Sequence, residues 1–107
     1  MGRRGEGLAC RYLKRHGYKI LKRNYKTPFG EADIVAEKDG FICFVEVKAR
    51  ASDSYGTPAE AVTRDKQKKY RSIAAYYCAG LGEEVAVRFD VISIFQGVVE
   101  HFENAFM

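Results

Sequence analysis

Apolar residues recur along this chain at two different periods. From Arg3 to His16 they fall as Leu8, Ala9, Tyr12 and Leu13, the stripe of a helix that Gly17 ends. Tyr18 to Tyr25 then alternates, which predicts a strand, and Thr27-Pro28-Phe29-Gly30 turns the chain. Glu31 to Lys38 is a second strand, and Asp39-Gly40 is a two-residue hairpin signal. Phe41 to Lys48 is a third strand, rich in aromatic and β-branched residues and so expected at the centre of its sheet. Arg50 to Pro58 reads as a loop. A long helix is predicted over Thr63 to Ala79, with Thr63 as N-cap, Gly80 near its end and an apolar face of Ile73, Ala74, Tyr77 and Cys78. Val85 to Phe95 is a fourth strand, with core candidates Phe89, Val91, Ile92 and Ile94. Gln96-Gly97 turns into a short fifth strand beginning at Val98. The order αβββαββ predicts a single α/β domain over residues 1–107, a mixed β-sheet flanked by helices.

Charged residues interrupt this pattern where a buried strand should have none. Glu46 and Lys48 follow the apolar run Phe41 to Val45, and Glu31 and Asp33 open the strand before it. Residues two apart on a strand share a face. If Asp39 and Gly40 are the turn residues, Lys38 faces Phe41, Asp33 faces Glu46 and Glu31 faces Lys48. All four charges then gather on one face near one end of the hairpin, and a one-residue slip would scatter them. Two carboxylates directly opposite repel, and a divalent cation between them removes that cost. A lysine beside them can stabilise charge developing in phosphoryl transfer. The other reading of these residues is an ion-pair cluster at a sheet edge, with Glu31–Lys48 as a cross-strand salt bridge of small energy.

Charge and cysteine content narrow the classes. The formal net charge is +4, unevenly spread: residues 1–50 hold 12 Lys and Arg against 6 Asp and Glu. Such clustering suits a polyanion. On the long helix Arg64, Lys68 and Arg71 form one basic stripe, with Lys66 beside it, able to contact phosphates or simply to solvate the face. Three widely spaced cysteines with no CxxC pair argue for free thiols in a reducing compartment. No apolar run approaches a membrane span, and the expected location is the cytoplasm. His16 and His101 have no partner pattern and are expected at the surface or in packing.

The stretch Gly30–Ala36 followed by Phe44–Arg50, "GEADIVA…FVEVKAR", resembles the hallmark of the YraN-like bacterial family of predicted endonucleases. The resemblance extends over "GRRGEGLACRYLKRHGYKIL", "YGTPAEAVTRDKQKKYRSIAAYY", "VRFDVISI" and "ENAF". It implies a restriction-endonuclease-like domain of the PD-(D/E)xK superfamily, similar in layout to Holliday junction resolvases. By position it makes Asp33 and Glu46 metal-binding acids, with help from the Val47 carbonyl, and Lys48 the catalytic lysine. Glu6 matches the helical glutamate of the resolvase-like pattern, although an acid in a first helical turn also complements the helix dipole. Gln67 matches a polar position that supports the site, or is a surface residue. Ala32 stands where relatives usually carry a larger aliphatic residue, and strand parity points it away from the site. The implied cofactor is Mg²⁺ or Mn²⁺, the partner DNA, the assembly a homodimer. The implied activity is phosphodiester hydrolysis in DNA, branched or structured forms included; the alternatives are a catalytically silent nucleic-acid-binding module of the same fold and a structural interaction domain.

Overall fold

The computed structural model describes residues 3–49 and 62–106. The chain forms a small α/β domain: a mixed five-stranded sheet and, among the described residues, two helices. In chain order these are α1 (Arg3–Arg15), β1 (Lys19–Thr27), β2 (Gly30–Lys38), β3 (Phe41–Ala49), α2 (Arg64–Leu81), β4 (Ala86–Phe95) and β5 (Val98–Phe106). The expected loop at Arg50 to Pro58 lies outside the described residues.

The strands lie in sequence order, with β3 at the centre. The β1–β2, β2–β3 and β4–β5 pairs are antiparallel and β3–β4 is parallel. A parallel pair needs a long crossover, and α2 lies within it. Asp39 (φ 52°) and Gly40 (φ 84°) both have positive φ, as do Gln96 (φ 50°) and Gly97 (φ 77°). This is the geometry that two-residue hairpins require. The first turn places Lys38 against Phe41 and carries the register through Ile34 against Val45.

Alternation along β3 builds a core on each side of the sheet. Cys43, Val45 and Val47 join Ala9, Cys10 and Leu13 of α1. Ile42 and Phe44 join Tyr70, Ile73 and Ala74 of α2. The helices therefore cover opposite faces. Fully burying a side chain such as Leu13 or Ile73 contributes roughly 1.5–3 kcal/mol. The Thr63 side chain accepts a 3.2 Å hydrogen bond from the Lys66 N–H, as a helix N-cap does. The helix runs two residues past the expected end, to a left-handed Gly82 (φ 71°) rather than to Gly80. β5 is also longer than its sequence suggests, because its register against β4 continues to Phe106, which packs beside Phe89.

Candidate active site

The β2–β3 ladder ends at Ile34–Val45. Beyond that point Gly30, Glu31 and Ala32 pair with β1, while Glu46 to Ala49 pair with β4. Asp33 and Glu46 stand where the two strands stop pairing. The expected backbone pairs Asp33–Glu46 and Glu31–Lys48 do not form, and no ion pair joins Glu31 to Lys48. The physical reason is local. Asp33 uses its side chain in place of the ladder, accepting a 2.8 Å hydrogen bond at Oδ2 from the Val47 N–H. Across β1, Asn24 adopts a left-handed conformation (φ 51°) between the paired Arg23 and Tyr25. Ile34 packs on the α1 side while Ala32 packs with Tyr70 on the α2 side, so the strand alternation slips at Asp33.

This opening leaves a cavity of about 420 Å³ lined by Glu6, Asn24, Glu31, Asp33, Glu46, Val47, Lys48, Ala49 and Lys66. It gathers residues from both helices and three strands. Glu46 is 5 % exposed. The Tyr70 hydroxyl donates to its Oε1 at 2.8 Å, and Lys66 Nζ lies 3.3 Å from its Oε2. Tyr70 also reaches the Val45 carbonyl (3.3 Å) and accepts from the Asp33 N–H (3.4 Å), so one buried phenol ties the two strands together where their ladder ends. Burial first, and then the Glu46 and Asp33 charges, push the Tyr70 hydroxyl well above its ordinary pKa, which keeps it a donor.

Asp33 is held in a strained electrostatic position. Burial raises its pKa to about 6, the Glu46 and Glu6 carboxylates push the same way, and the Val47 N–H opposes them. Glu6 lies in the first turn of α1 and is 5 % exposed, with its Oε1 buried and lacking a hydrogen-bond partner among the described residues. A role limited to the helix dipole does not require burial, and an orphaned carboxylate oxygen is costly. A cation beside Asp33 and Glu46 would offset both the repulsion and the orphan. Among the described residues no three His, Cys, Asp or Glu side chains form a ready-made cage. A hard cation such as Mg²⁺ needs fewer protein ligands, since one or two carboxylates with water and substrate phosphate suffice. The donor set fits that requirement.

Other expected residues fall elsewhere. The Gln67 side chain donates to the Val62 carbonyl at 2.9 Å and does not line the cavity. Lys66, one residue earlier, takes the place beside Glu46. Lys68 lines a neighbouring hollow with Phe29, and Arg64 and Arg71 are exposed on α2. Tyr70 was legible as a buried position, three before Ile73 and four before Ala74, but nothing in the pattern shows that its hydroxyl meets Glu46.

A second polar cluster gathers on β4 and β5. Asp90 is fully buried on β4 and accepts from Arg88 Nε (2.9 Å), Arg88 Nη2 (2.8 Å) and the Asn104 N–H (3.0 Å). The His101 ring packs edge-on against Tyr12 and Tyr18, as a packing residue, and its Nε2 also lies 2.7 Å from Asp90 Oδ2, a partner the sequence pattern did not show. Parity explains it: Ile92 pairs with His101, which brings the ring onto the face that Asp90 shares. Burial alone would raise the Asp90 pKa, but the bonds from His101, Arg88 and Asn104 hold it below its ordinary value. Arg88 further bonds the Tyr18 hydroxyl and lies over the Tyr18 and Phe41 rings. Cys10 and Cys43 are buried and Cys78 is half-buried, all as free thiols. Among the described residues no helix is long and apolar enough to cross a membrane.

Known proteins are similar to this chain over nearly its whole length. A "UPF0102 protein" of Thermodesulfovibrio yellowstonii is 50 % identical over 99 % of this chain and 95 % of its own. One from Desulfosudis oleivorans is 49 % identical, covering 98 % and 88 %. One from Geobacter metallireducens is 48 % identical, covering 99 % and 91 %. The profile described as "Uncharacterised protein family UPF0102" matches residues 5–94, and the chain belongs to that family.

Proposed function

We propose that this protein is a metal-dependent endonuclease that hydrolyses phosphodiester bonds in DNA, and that its domain is restriction-endonuclease-like. Branched or structured DNA is the substrate form that the resemblance to junction resolvases favours. The observation that carries the reading is the single cavity shared by Glu6, Asp33, Glu46 and Lys48, with the Glu6 Oε1 orphaned inside it.

Asp33 and Glu46 would hold Mg²⁺ or Mn²⁺, with the Val47 carbonyl and Glu6 beside them. The ion, when bound, supplies Lewis-acid polarisation of the phosphate and a more acidic water. The chain does the positioning. The Val47 N–H fixes Asp33 Oδ2. Tyr70 fixes Glu46 Oε1. Lys66 balances the Glu46 charge before a cation arrives. Lys48 brings an ammonium to where negative charge grows on the phosphate. Cutting both strands of a symmetric junction calls for two copies, so the homodimer belongs to this proposal.

The test is a cleavage panel of single-stranded, duplex, flap and four-way-junction DNA with Mg²⁺ or Mn²⁺. Metal-dependent cleavage should fall by roughly a hundredfold or more in Glu46→Ala and in Lys48→Ala. DNA binding indifferent to chelator, with no cleavage of any substrate, would instead make the protein a binding module. Light scattering of the protein alone and on a junction reads the assembly.

A further inference from the structure

Next to the cavity the surface changes from acidic to aromatic and basic. Phe29 is 51 % exposed at the β1–β2 turn, and Tyr76 is 47 % exposed on α2. Their rings meet edge to face with centroids 6.2 Å apart. Two large exposed rings in contact make a contiguous aromatic patch, the kind of surface that can take a ligand. The turn that presents Phe29 is held in shape: its N–H donates to Thr27 Oγ1 (3.0 Å), and that hydroxyl donates to the Gly30 carbonyl (2.9 Å). Gly30 has φ +133°, and a Cβ there would sit 3.8 Å from both Ile73 Cδ1 and Lys69 Cδ. The turn therefore rests against α2.

The two rings separate two hollows. One, of about 310 Å³, is lined by Phe29, Asp65, Lys68, Lys69 and Ser72. The other, of about 650 Å³, has Tyr25, Tyr76, Tyr77 and Leu81 on its walls and Lys22 at its edge. Among the described residues that line the two hollows, three lysines stand against one acid, Asp65, a balance that favours a polyanion. The strip is continuous with the cavity: Glu31, which lines the cavity, is two residues from Phe29, and Lys66 is one helical turn from Lys69. From Lys66 to Tyr76 the helix rises about 15 Å.

We propose that this strip seats an unpaired nucleic-acid strand as it leaves the cavity, with bases against Phe29 and Tyr76 and phosphates against Lys22, Lys68 and Lys69. A duplex presents phosphates outward and keeps its base faces stacked within, so it has no use for exposed rings. A single strand has free base faces, which stack on aromatic side chains whatever the sequence. The proposal rests on the nuclease reading and deepens it, since it makes a substrate with a single-stranded arm the preferred one.

Binding is measured in chelator, where no cutting occurs, by fluorescence anisotropy. The probes are labelled oligothymidylate, an abasic strand of equal length and a blunt duplex. Phe29→Ala/Tyr76→Ala should weaken oligothymidylate binding by about tenfold to a hundredfold. Its binding to the abasic strand and the duplex should change by less than about twofold, because phosphate contacts remain. Phe29→Tyr/Tyr76→Phe, which keeps both rings, should retain wild-type affinity. Both positions are exposed, and an unchanged circular dichroism spectrum confirms that the variants fold. Equal oligothymidylate affinity in the alanine variant, an equal loss on duplex, or a wild type that binds the abasic strand as well as oligothymidylate would each overturn the strip. Ring-dependent binding without cleavage in any metal would keep the strip and overturn the nuclease. Cleavage lost in Glu46→Ala with ring-independent binding would do the reverse.

Discussion

The Val47 amide donates a 2.8 Å hydrogen bond to Asp33 Oδ2 where the β2–β3 ladder stops. A side chain thus replaces a backbone partner, and the space this leaves is the cavity. Asp33 is consequently both a structural element of the sheet and the most electrostatically disfavoured acid at the site.

Asp33 should make activity depend on pH. Its pKa is raised to about 6 by burial and by the Glu46 and Glu6 carboxylates. Cleavage and Mn²⁺ binding should therefore rise as pH increases through about 6. Glu6→Gln removes one of the repelling charges and should move that midpoint to lower pH. A pH–rate profile of both proteins checks this, and an unmoved midpoint would refute the coupling.

The same shift has a signed effect on stability. A carboxyl whose folded pKa lies above its unfolded value favours folding only while protonated, and the ionised form costs stability above the folded pKa. Asp33→Asn keeps an acceptor for the Val47 N–H and removes the charge. At pH 8 it should be more stable than wild type by about 1 kcal/mol, or roughly 4–8 °C in Tm. The advantage should shrink as pH falls below 6 and vanish below 3.8. Thermal melts at pH 8, 6 and 3.5 read the trend.

Tyr70→Phe should destabilise without creating a cavity. The hydroxyl serves Glu46, the Val45 carbonyl and the Asp33 N–H at once, and the ring is 1 % exposed. Leaving these groups without their partner costs about 1–3 kcal/mol. Urea denaturation measures the loss. A variant as stable as wild type would show that the phenol is incidental.

Lys66 and a divalent cation should compete for Glu46. Lys66 is the positive partner of a carboxylate that is 6 % exposed. Lys66→Met should lower Tm in chelator and increase the stabilisation that Mn²⁺ confers. A ligand at a hundredfold excess over its Kd adds about 2.7 kcal/mol, so the difference is readable in a thermal-shift titration. An equal Mn²⁺ response in the two proteins would count against a cation at Glu46.

Asp90 should matter for folding and not for cutting. Its charge is buried and fully bonded, and removing one side of such a network costs about 3–5 kcal/mol. Asp90→Ala should lose stability on that scale at pH 7. Because the Asp90 pKa is lowered, its contribution is present above the ordinary carboxylate range and is lost as pH falls through the folded value. The gap between variant and wild type should therefore close in acid, as urea titrations at pH 7 and below pH 3 can show.

Much of this molecule was legible in local patterns. Asp39-Gly40 set the hairpin register, because both residues tolerate positive φ and the flanking strands alternate at period two. The stripe through Ala9 and Leu13, the face of Ile73 and Ala74 and the cap at Thr63 all follow from helical periodicity and local bonding. The gathering of Asp33 and Glu46 at one end of a hairpin follows as well. Local pattern could not show that the ladder would stop at Ile34–Val45, since continued pairing has the same periodicity. Nor could it show that Tyr70 and Lys66 would reach Glu46, that Glu6 would line the same cavity, or that His101 would reach Asp90. Those contacts join groups far apart in sequence. Periodicity decides which face a side chain takes, whereas the packing of a helix against the sheet decides which strand end that face meets.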